Sequence, residues 1–144
     1  MQHGYGVEVY VNGTRFLGEF RSGVKHGIGK FWFANGNVFR GEFINDEISG
    51  KGIQKWIDGR VYSGEWKRNR MTGKGRLRWP DAREYVGEFI DDEIHGKGSL
   101  RMPDGRVFCV RWVNGKKEGI GIFTDSNGKG RKGEWKNDML IRWL

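Results

Sequence analysis

Glycines recur every 23 residues along this chain of 144 residues, and no other feature constrains the fold as strongly. One series starts at Gly4, and a second starts two residues later at Gly6. Large aromatic residues keep the same period from Phe20 to Trp135. A fixed period of this length is typical of repeat proteins. The sequence therefore predicts a single array over residues 1–144, with six repeats that start near positions 4, 27, 50, 73, 96 and 119.

Each repeat is predicted to form a β-hairpin. Asn-Gly or Asp-Gly dipeptides recur in phase, at residues 12–13, 35–36, 58–59, 104–105 and 127–128. Such a dipeptide between alternating apolar runs favours a hairpin with a type I′ turn, in which both central residues take positive φ. The fourth repeat has Asp81-Ala82 instead. Either Ala82 takes a positive φ at an energetic cost, or this turn differs.

The strands are predicted to be aromatic on one face and mostly charged on the other. Because side chains alternate between the faces of a strand, Phe39, Gly41 and Phe43 share one face. The glycine lets the flanking rings lie close to the backbone. Arg40 and Glu42 occupy the opposite face, which we expect to be solvated.

These motifs resemble the membrane occupation and recognition nexus (MORN) repeat. The segments HGIGKFWFANGNVFRGEF and SGKGIQKWIDGRVYSGEW show the order typical of that family: Gly-x-Gly, then Asn-Gly or Asp-Gly, then aromatic-x-Gly-Glu-aromatic. The resemblance implies an all-β fold, an elongated twisted single-layer antiparallel sheet of about six MORN hairpins. It also implies a scaffold, because most family members are scaffolds near membranes and the cytoskeleton.

The repeat pattern stops after Trp135, and residues 136–144 are predicted to be a C-terminal cap or a dimerisation element. Exposed apolar clusters usually mark contacts. We therefore predict a homodimer joined through the last repeat. The alternative is that this segment folds back and caps its own last hairpin. The candidate interface residues are Trp135, Met139, Leu140, Ile141, Trp143 and Leu144.

The net charge of +8 is unevenly distributed. The segments that connect consecutive repeats alternate in sign from RSGVKH to INDEIS, KRNRMT and IDDEIH. We interpret this alternation as weak mutual stabilisation of neighbouring connections. The KRNR cluster therefore has acidic neighbours on both sides. No nucleic acid partner is expected, because the rings that would stack on bases lie on the buried face.

A second set of cations forms a candidate surface for anionic phospholipids, phosphoinositides included. One basic residue follows the hairpin turn in each of the last four repeats, and further arginines lie on the solvated face. Each such residue near an anionic membrane contributes about 1 kcal/mol. The alternative is an edge that only prevents aggregation. The candidate lipid-binding residues are Arg60, Arg76, Arg78, Arg83, Arg101, Arg106 and Lys129.

No catalytic, cofactor or metal site is expected. Glutamates recur once per repeat, which indicates a structural role, and the repeated Gly-x-Gly argues against a unique phosphate loop. His3, His26 and His95 are too far apart in the repeat frame to share one zinc ion, although a metal between two chains through Cys109 or a histidine stays open. Cys109 itself is interpreted as a small hydrophobic strand residue.

We therefore expect a non-enzymatic scaffold that associates with itself and with a cytoskeletal or membrane-associated protein. The alternative functions are a phospholipid-binding targeting module of a larger protein, and a groove in which face aromatics hold an extended segment. Nothing resembles a signal peptide or a membrane span, which favours a cytoplasmic location at the cytoskeleton or the membrane periphery.

Overall fold

The computed structural model describes residues 3–144, which fall into two compact units that divide between Arg70 and Met71. All regular secondary structure in the described part is β-strand. The first unit contains β1 (Gly4–Val9), β2 (Arg15–Arg21), β3 (Val24–Trp32), β4 (Val38–Ile44), β5 (Glu47–Lys55) and β6 (Val61–Lys67). The second contains β7 (Arg70–Arg78), β8 (Glu84–Ile90), β9 (Glu93–Arg101), β10 (Val107–Val113), β11 (Lys116–Thr124), β12 (Gly130–Lys136) and β13 (Met139–Trp143).

Within each unit, every strand pairs antiparallel with the strand that follows it in the sequence. The predicted all-β class of hairpin repeats is therefore confirmed. The glycines align across the pairs, so that Gly29 faces Gly41 and Gly41 faces Gly52. The aromatic residues of one face are buried, and Phe39 is 0% exposed.

The Asn-Gly and Asp-Gly turns differ from the predicted type I′ geometry. Of the central pair Asn35-Gly36, only Gly36 has a positive φ, of 98°. Its N–H donates to the Phe33 carbonyl, and the Phe33 N–H donates to the Asn37 carbonyl, at 3.0 and 2.9 Å. This arrangement is a three-residue loop with a glycine bulge. Asn35 stabilises this loop through its side chain rather than through a positive φ, because its Oδ1 accepts the N–H of Asn37 at 3.0 Å.

The tight two-residue turns with positive φ at both positions lie at the charged connections instead. Asn45 and Asp46 have φ values of 47° and 71°, and the equivalent pairs at 68–69, 91–92 and 137–138 are similar. The Oδ1 atom of Asp46 also accepts the N–H of Lys25 at 2.8 Å. The equivalent side chains at 69, 92 and 138 each accept a backbone hydrogen bond in the same way, close to the preceding connection. Neighbouring connections are therefore joined by hydrogen bonds, in addition to the attraction between their opposite charges.

Ala82 takes a positive φ at an energetic cost, which was one of the two predicted alternatives for this turn. Its φ is 77°, in the region that favours glycine. The turn is otherwise like the others, because the Ala82 N–H donates to the Trp79 carbonyl at 3.1 Å and Asp81 Oδ1 accepts the Arg83 N–H at 3.0 Å. The surrounding hydrogen bonds thus hold a residue other than glycine in a glycine position.

The recurrent glutamates stabilise strand irregularities, as their periodicity predicts. The pairing of β8 with β9 shifts register between Gly87 and Phe89, and Glu88 lies at this bulge. Its Oε2 accepts the N–H of Lys97 at 2.9 Å. Glu19 and Glu42 accept backbone N–H groups of Ile28 and Lys51 in the same way.

The last segment folds back and pairs with its own hairpin. β13 pairs with β12, with Trp143 opposite Gly133 and Leu140 opposite Trp135. The Trp143 ring contacts the ring of Trp135 edge to face, with 6.2 Å between the ring centroids. The Arg131 guanidinium lies over the Trp143 ring, 4.3 Å from its centroid. Arg131, which replaces an aromatic residue of the repeat, therefore packs as a cation on a ring.

Candidate functional site

The candidate site is a depression on the face of β3, β4 and β5 that is turned away from the aromatic core. We call it the basic-aliphatic groove. One part has a volume of about 320 Å³, and an adjoining part, of about 390 Å³, shares Arg40 and Ile53 with it and continues to β6. The side chains that define the groove are Ile28, Lys30, Val38, Arg40, Lys51, Ile53 and Lys55.

Strand register places these side chains together. Lys30 lies directly opposite Arg40, and Arg40 lies directly opposite Ile53. Lys55 lies opposite Val38, which makes it a diagonal neighbour of Arg40. Directly opposite residues have Cβ atoms about 5 Å apart, and diagonal ones are within reach of long side chains. Arg40 is therefore the centre of a cluster of cations from three consecutive strands.

The cations of the smaller depression have no acid beside them in its described lining. The described residues that line the smaller depression include Lys30, Arg40 and Lys55, and none of them is an acid. The nearest acid on the same strand face is Glu42, whose carboxylate accepts the Lys51 N–H. Because like charges directly opposite each other repel, this cluster has a positive potential that an anionic ligand would offset.

Aliphatic side chains stand between the cations. Ile28 and Ile53 are 47% and 42% exposed, although they lie in the middle of strands. At one end of the groove Trp32 is held between two cations, with Arg15 and Lys30 each 4.9 Å from its ring centroid. The face that was predicted to be mostly charged therefore also offers apolar contact area.

The second unit has a depression of about 440 Å³ at the corresponding position. Lys97, Arg111 and Ile120 line it, together with Glu118 and the exposed Cys109. Its lining is less basic, because an acid stands beside the cations. Val110 occupies a glycine position here and is buried. Phe108 packs against Phe123, which lies opposite it, at 5.1 Å.

Three residues of the predicted lipid surface are paired within their own turns. Arg60, Arg83 and Arg106 each pair with the aspartate two residues earlier, at Nε–Oδ2 distances of 2.8, 2.8 and 2.7 Å. Hydrogen bonds from the arginine backbone N–H and side chain hold the pKa values of Asp58, Asp81 and Asp104 below their usual range. These turns therefore present neutral pairs to an anionic surface.

The other predicted lipid residues are distributed over the second unit. Arg76 and Arg78 both lie near Glu84, at 3.7 and 3.5 Å. Arg101 is exposed and is also opposite Glu84 in the strand pairing. Lys129 is exposed after its turn, and its N–H donates to Asp125 at 2.9 Å. The structure brings Arg76, Arg78 and Arg101 together around a carboxylate.

The candidate dimer residues lie at an edge strand, and most remain exposed. Trp135 is buried and Trp143 is half-buried, whereas Met139, Leu140, Ile141 and Leu144 are exposed. β13 pairs with β12 on one side, and no strand among residues 3–144 pairs with its other side. An apolar edge of this kind is a template for a further strand.

Two of the three histidines accept hydrogen bonds from backbone groups. Nδ1 of His3 accepts the Ser22 N–H at 3.2 Å, and Nδ1 of His95 accepts the Asn114 N–H at 3.4 Å. Nδ1 of His26 is buried without such a bond. Within residues 3–144, no group of three or more His, Cys, Asp or Glu side chains could hold a metal ion. The same residues also contain no helix that is long and apolar enough to cross a membrane.

The sequence pattern places Arg40 on the solvated face but does not predict the basic-aliphatic groove. A signal was present in the segment KGIQK, where Lys51, Ile53 and Lys55 alternate with buried positions. The alternation identifies the face that these residues share. It does not identify the neighbours from β3 and β4, which depend on the register.

Comparison with known proteins gave one family. The MORN repeat model matches residues 1–15, 16–38, 39–59, 62–81, 85–105 and 111–130, well over half of the chain. A comparison with curated protein sequences gave no match.

Among solved structures, the chain is similar to the TCP domain of SAS-4 (dCPAP) of Drosophila melanogaster in complex with a proline-rich motif of Ana2 (dSTIL). The TM-score is 0.56 at 16% identity, over 92% of this chain and 73% of that one. The TCP10 domain of Danio rerio CPAP, in complex with a STIL peptide, gives 0.41 at 16% identity, over 95% and 68%. The G-box domain of CPAP gives 0.44 at 19% identity, over 93% and 78%.

Proposed function

This chain belongs to the MORN repeat family, and we propose that it is a non-enzymatic scaffold that binds an extended segment of a partner protein in the basic-aliphatic groove. The observation that carries the proposal is the register of β3, β4 and β5. It gathers Lys30, Arg40 and Lys55 around exposed aliphatic side chains, without an acid among the described residues of the smaller depression. In keeping with the family, the partner is a protein of the cytoskeleton or of a membrane-associated structure.

The dimensions of the groove favour an extended chain. Its two parts cross from β3 to β6, and four strands at about 4.8 Å spacing span about 15 Å. An extended segment covers this distance with about four or five residues. Its chemistry should alternate acidic side chains, facing Arg40 and its neighbours, with apolar side chains against Ile28 and Ile53.

The fold comparison supports a peptide as the ligand class. The SAS-4 domain, with the same kind of fold, forms a complex with a proline-rich motif. Proline-rich segments are extended and keep few internal hydrogen bonds, so they suit a shallow surface. For the present chain, the aromatic face is a poorer docking site than we expected, because the rings of Phe16, Phe39 and Tyr62 are fully buried.

The proposal is tested by selection from a display library of random extended peptides with the whole chain as bait. We expect peptides that combine acidic and aliphatic residues. Their binding should fall at least tenfold in Arg40→Glu and in Ile53→Asp, because each change removes one part of the recognition. Arg101→Glu and Ile90→Asp change an exposed cation and an exposed isoleucine outside the groove and should bind normally. Equal loss in the control variants would contradict the proposal.

Self-association is a second proposed activity, and the exposed apolar side chains of β13 favour it. Met139 is 70% exposed, and Leu140 and Ile141 are exposed beside it on an edge strand. A second copy could add its own β13 there and cover these side chains. Phospholipid binding by the turn arginines remains a prediction, and the pairing of Arg60, Arg83 and Arg106 with aspartates makes it the weaker alternative.

A further inference from the structure

We propose that the basic-aliphatic groove recognises a phosphorylated serine or threonine in the bound segment. This inference rests on the proposed function and adds the chemical group that Arg40 binds. The starting observation is the direct pairing of Lys30 with Arg40 across β3 and β4. Like charges that face each other in this way destabilise a sheet, and no described acid lies between them. A doubly charged anion would remove this repulsion.

The number and the origin of the cations match one phosphate group. Arg40 lies opposite Lys30, and Lys55 and Lys51 approach it diagonally from β5. A phosphate group carries a charge of about −1.5 to −2 near neutral pH and three strong acceptor oxygens. An arginine can bind two of these oxygens at once, and lysines add point charges around it.

The surroundings favour a phosphopeptide over a membrane. The cations occupy a depression of about 320 Å³ with Val38 and Ile53 as its apolar walls. That depression is large enough for a phosphorylated side chain, and its aliphatic walls offer contacts to the residues on either side of the phosphorylated one. A bilayer surface is broad, and it would instead be contacted by cations that project from an exposed edge.

Two acids lie near the cluster but outside the smaller depression. Glu42 follows Arg40 on the same strand face, but its carboxylate accepts the Lys51 N–H. Glu65 lies opposite Lys51 on β6, and it has interactions of its own. Neither acid lines the depression that Lys30, Arg40 and Lys55 share. Within the described lining of that depression, a phosphate group meets cations and aliphatic side chains and no acid.

The test uses the full chain and two synthetic octapeptide libraries, identical except for central phosphoserine or phosphothreonine in one and serine or threonine in the other. We expect the best phosphorylated peptides to bind at least tenfold more tightly than their unphosphorylated forms, measured by calorimetry. Arg40→Gln should abolish this difference. Arg101→Gln, an exposed arginine of the second unit, should retain it. If Arg40→Gln folds poorly, Lys55→Gln serves as the second variant in the same comparison.

The outcomes separate this inference from the proposed function. Equal binding of both libraries would overturn phosphate recognition and leave the peptide groove in place. Binding of neither library would overturn both proposals. Retention of the preference in Arg40→Gln and Lys55→Gln would overturn the assignment to this groove. Vesicles of phosphatidylcholine with 5% phosphoinositide form a last arm, and vesicle binding that depends on Arg40, without peptide binding, would assign the groove to a membrane instead.

Discussion

The ring of Phe16 lies against the backbone of Gly29 on the neighbouring strand. A Cβ atom on Gly29 would fall 2.5 Å from two carbons of that ring. Gly18, opposite Gly29, is equally crowded, because its own Cβ would lie 2.7 Å from the ring. The repeated Gly-x-Gly therefore leaves room for an aromatic ring to lie directly on the backbone. This close contact explains how rings on one face of a single-layer sheet are completely buried.

We predict that Gly29→Ala destabilises the protein by about 1–3 kcal/mol, because the added methyl group overpacks the Phe16 ring. Gly130→Ala is the matched control. A Cβ there meets only ordinary contacts, the nearest at 3.5 Å from Ile122, so its effect should be small. Urea denaturation followed by tryptophan fluorescence measures both. Equal stability of the Gly29 variant and the wild type would show that the ring does not need the glycine.

We predict that Ala82→Gly stabilises the protein by a few tenths of a kcal/mol to about 1 kcal/mol. The gain is the relief of the left-handed strain of about 1–2 kcal/mol, reduced by the entropy that glycine costs. The opposite change, Gly105→Ala, should destabilise through backbone strain alone, because Gly105 has a φ of 95° and a Cβ there would meet only ordinary contacts, 3.9 Å from Ser126. Melting temperatures by circular dichroism are the measurement. A lower melting temperature for Ala82→Gly would contradict the strain.

Acid should weaken the contact between Asp138 and Lys117. Burial alone would raise the pKa of Asp138, but hydrogen bonds from the Lys117 side chain and backbone, with the charge of Lys117, lower it overall. A carboxylate with a lowered folded pKa stabilises the protein above its unfolded pKa of about 3.9, and the contribution is lost as pH falls through the folded value.

Asp138→Asn is the variant that isolates this effect, because Asn69 holds the equivalent position and bonds the Ile48 N–H at 2.8 Å. At pH 7 the variant should be less stable by up to about 1 kcal/mol, as expected for a partly exposed ion pair. The difference from the wild type should shrink below pH 4. Thermal melts from pH 7 to pH 2.5 test it, and a difference that stays constant over this range would exclude an ionic origin.

Ile141→Lys should weaken self-association. Ile141 is 48% exposed on the edge strand β13, and a charge there opposes a second apolar strand. Ile44→Lys is the matched control, because Ile44 is 49% exposed at the end of β4. Light scattering after size exclusion should give a dimer for the wild type and the control, and a monomer for Ile141→Lys. A monomeric wild type would contradict the proposed dimer.

The period and the alternation of side chains predicted the strands, the buried rings and the role of the glutamates. They did not predict the turn geometry, because Asn-Gly suits both a two-residue loop and a three-residue loop. The pairing of Arg60 with Asp58 has a signal in the sequence, the spacing Asp-x-Arg, which allows an ion pair within one turn. The groove could not be predicted, because its cations come from three strands whose alignment depends on bulges, such as the one between Gly41 and Phe43.

The most direct test of the central claim is to map the bound peptide on the chain by backbone amide chemical shifts. The tightest peptide from the display selection is titrated into isotope-labelled protein. The account predicts that the largest shifts lie on β3, β4 and β5, around Lys30, Arg40 and Ile53, with little change at the turns that contain Arg60 and Arg106. Shifts concentrated at those turns or on β13, with an unchanged groove, would contradict it.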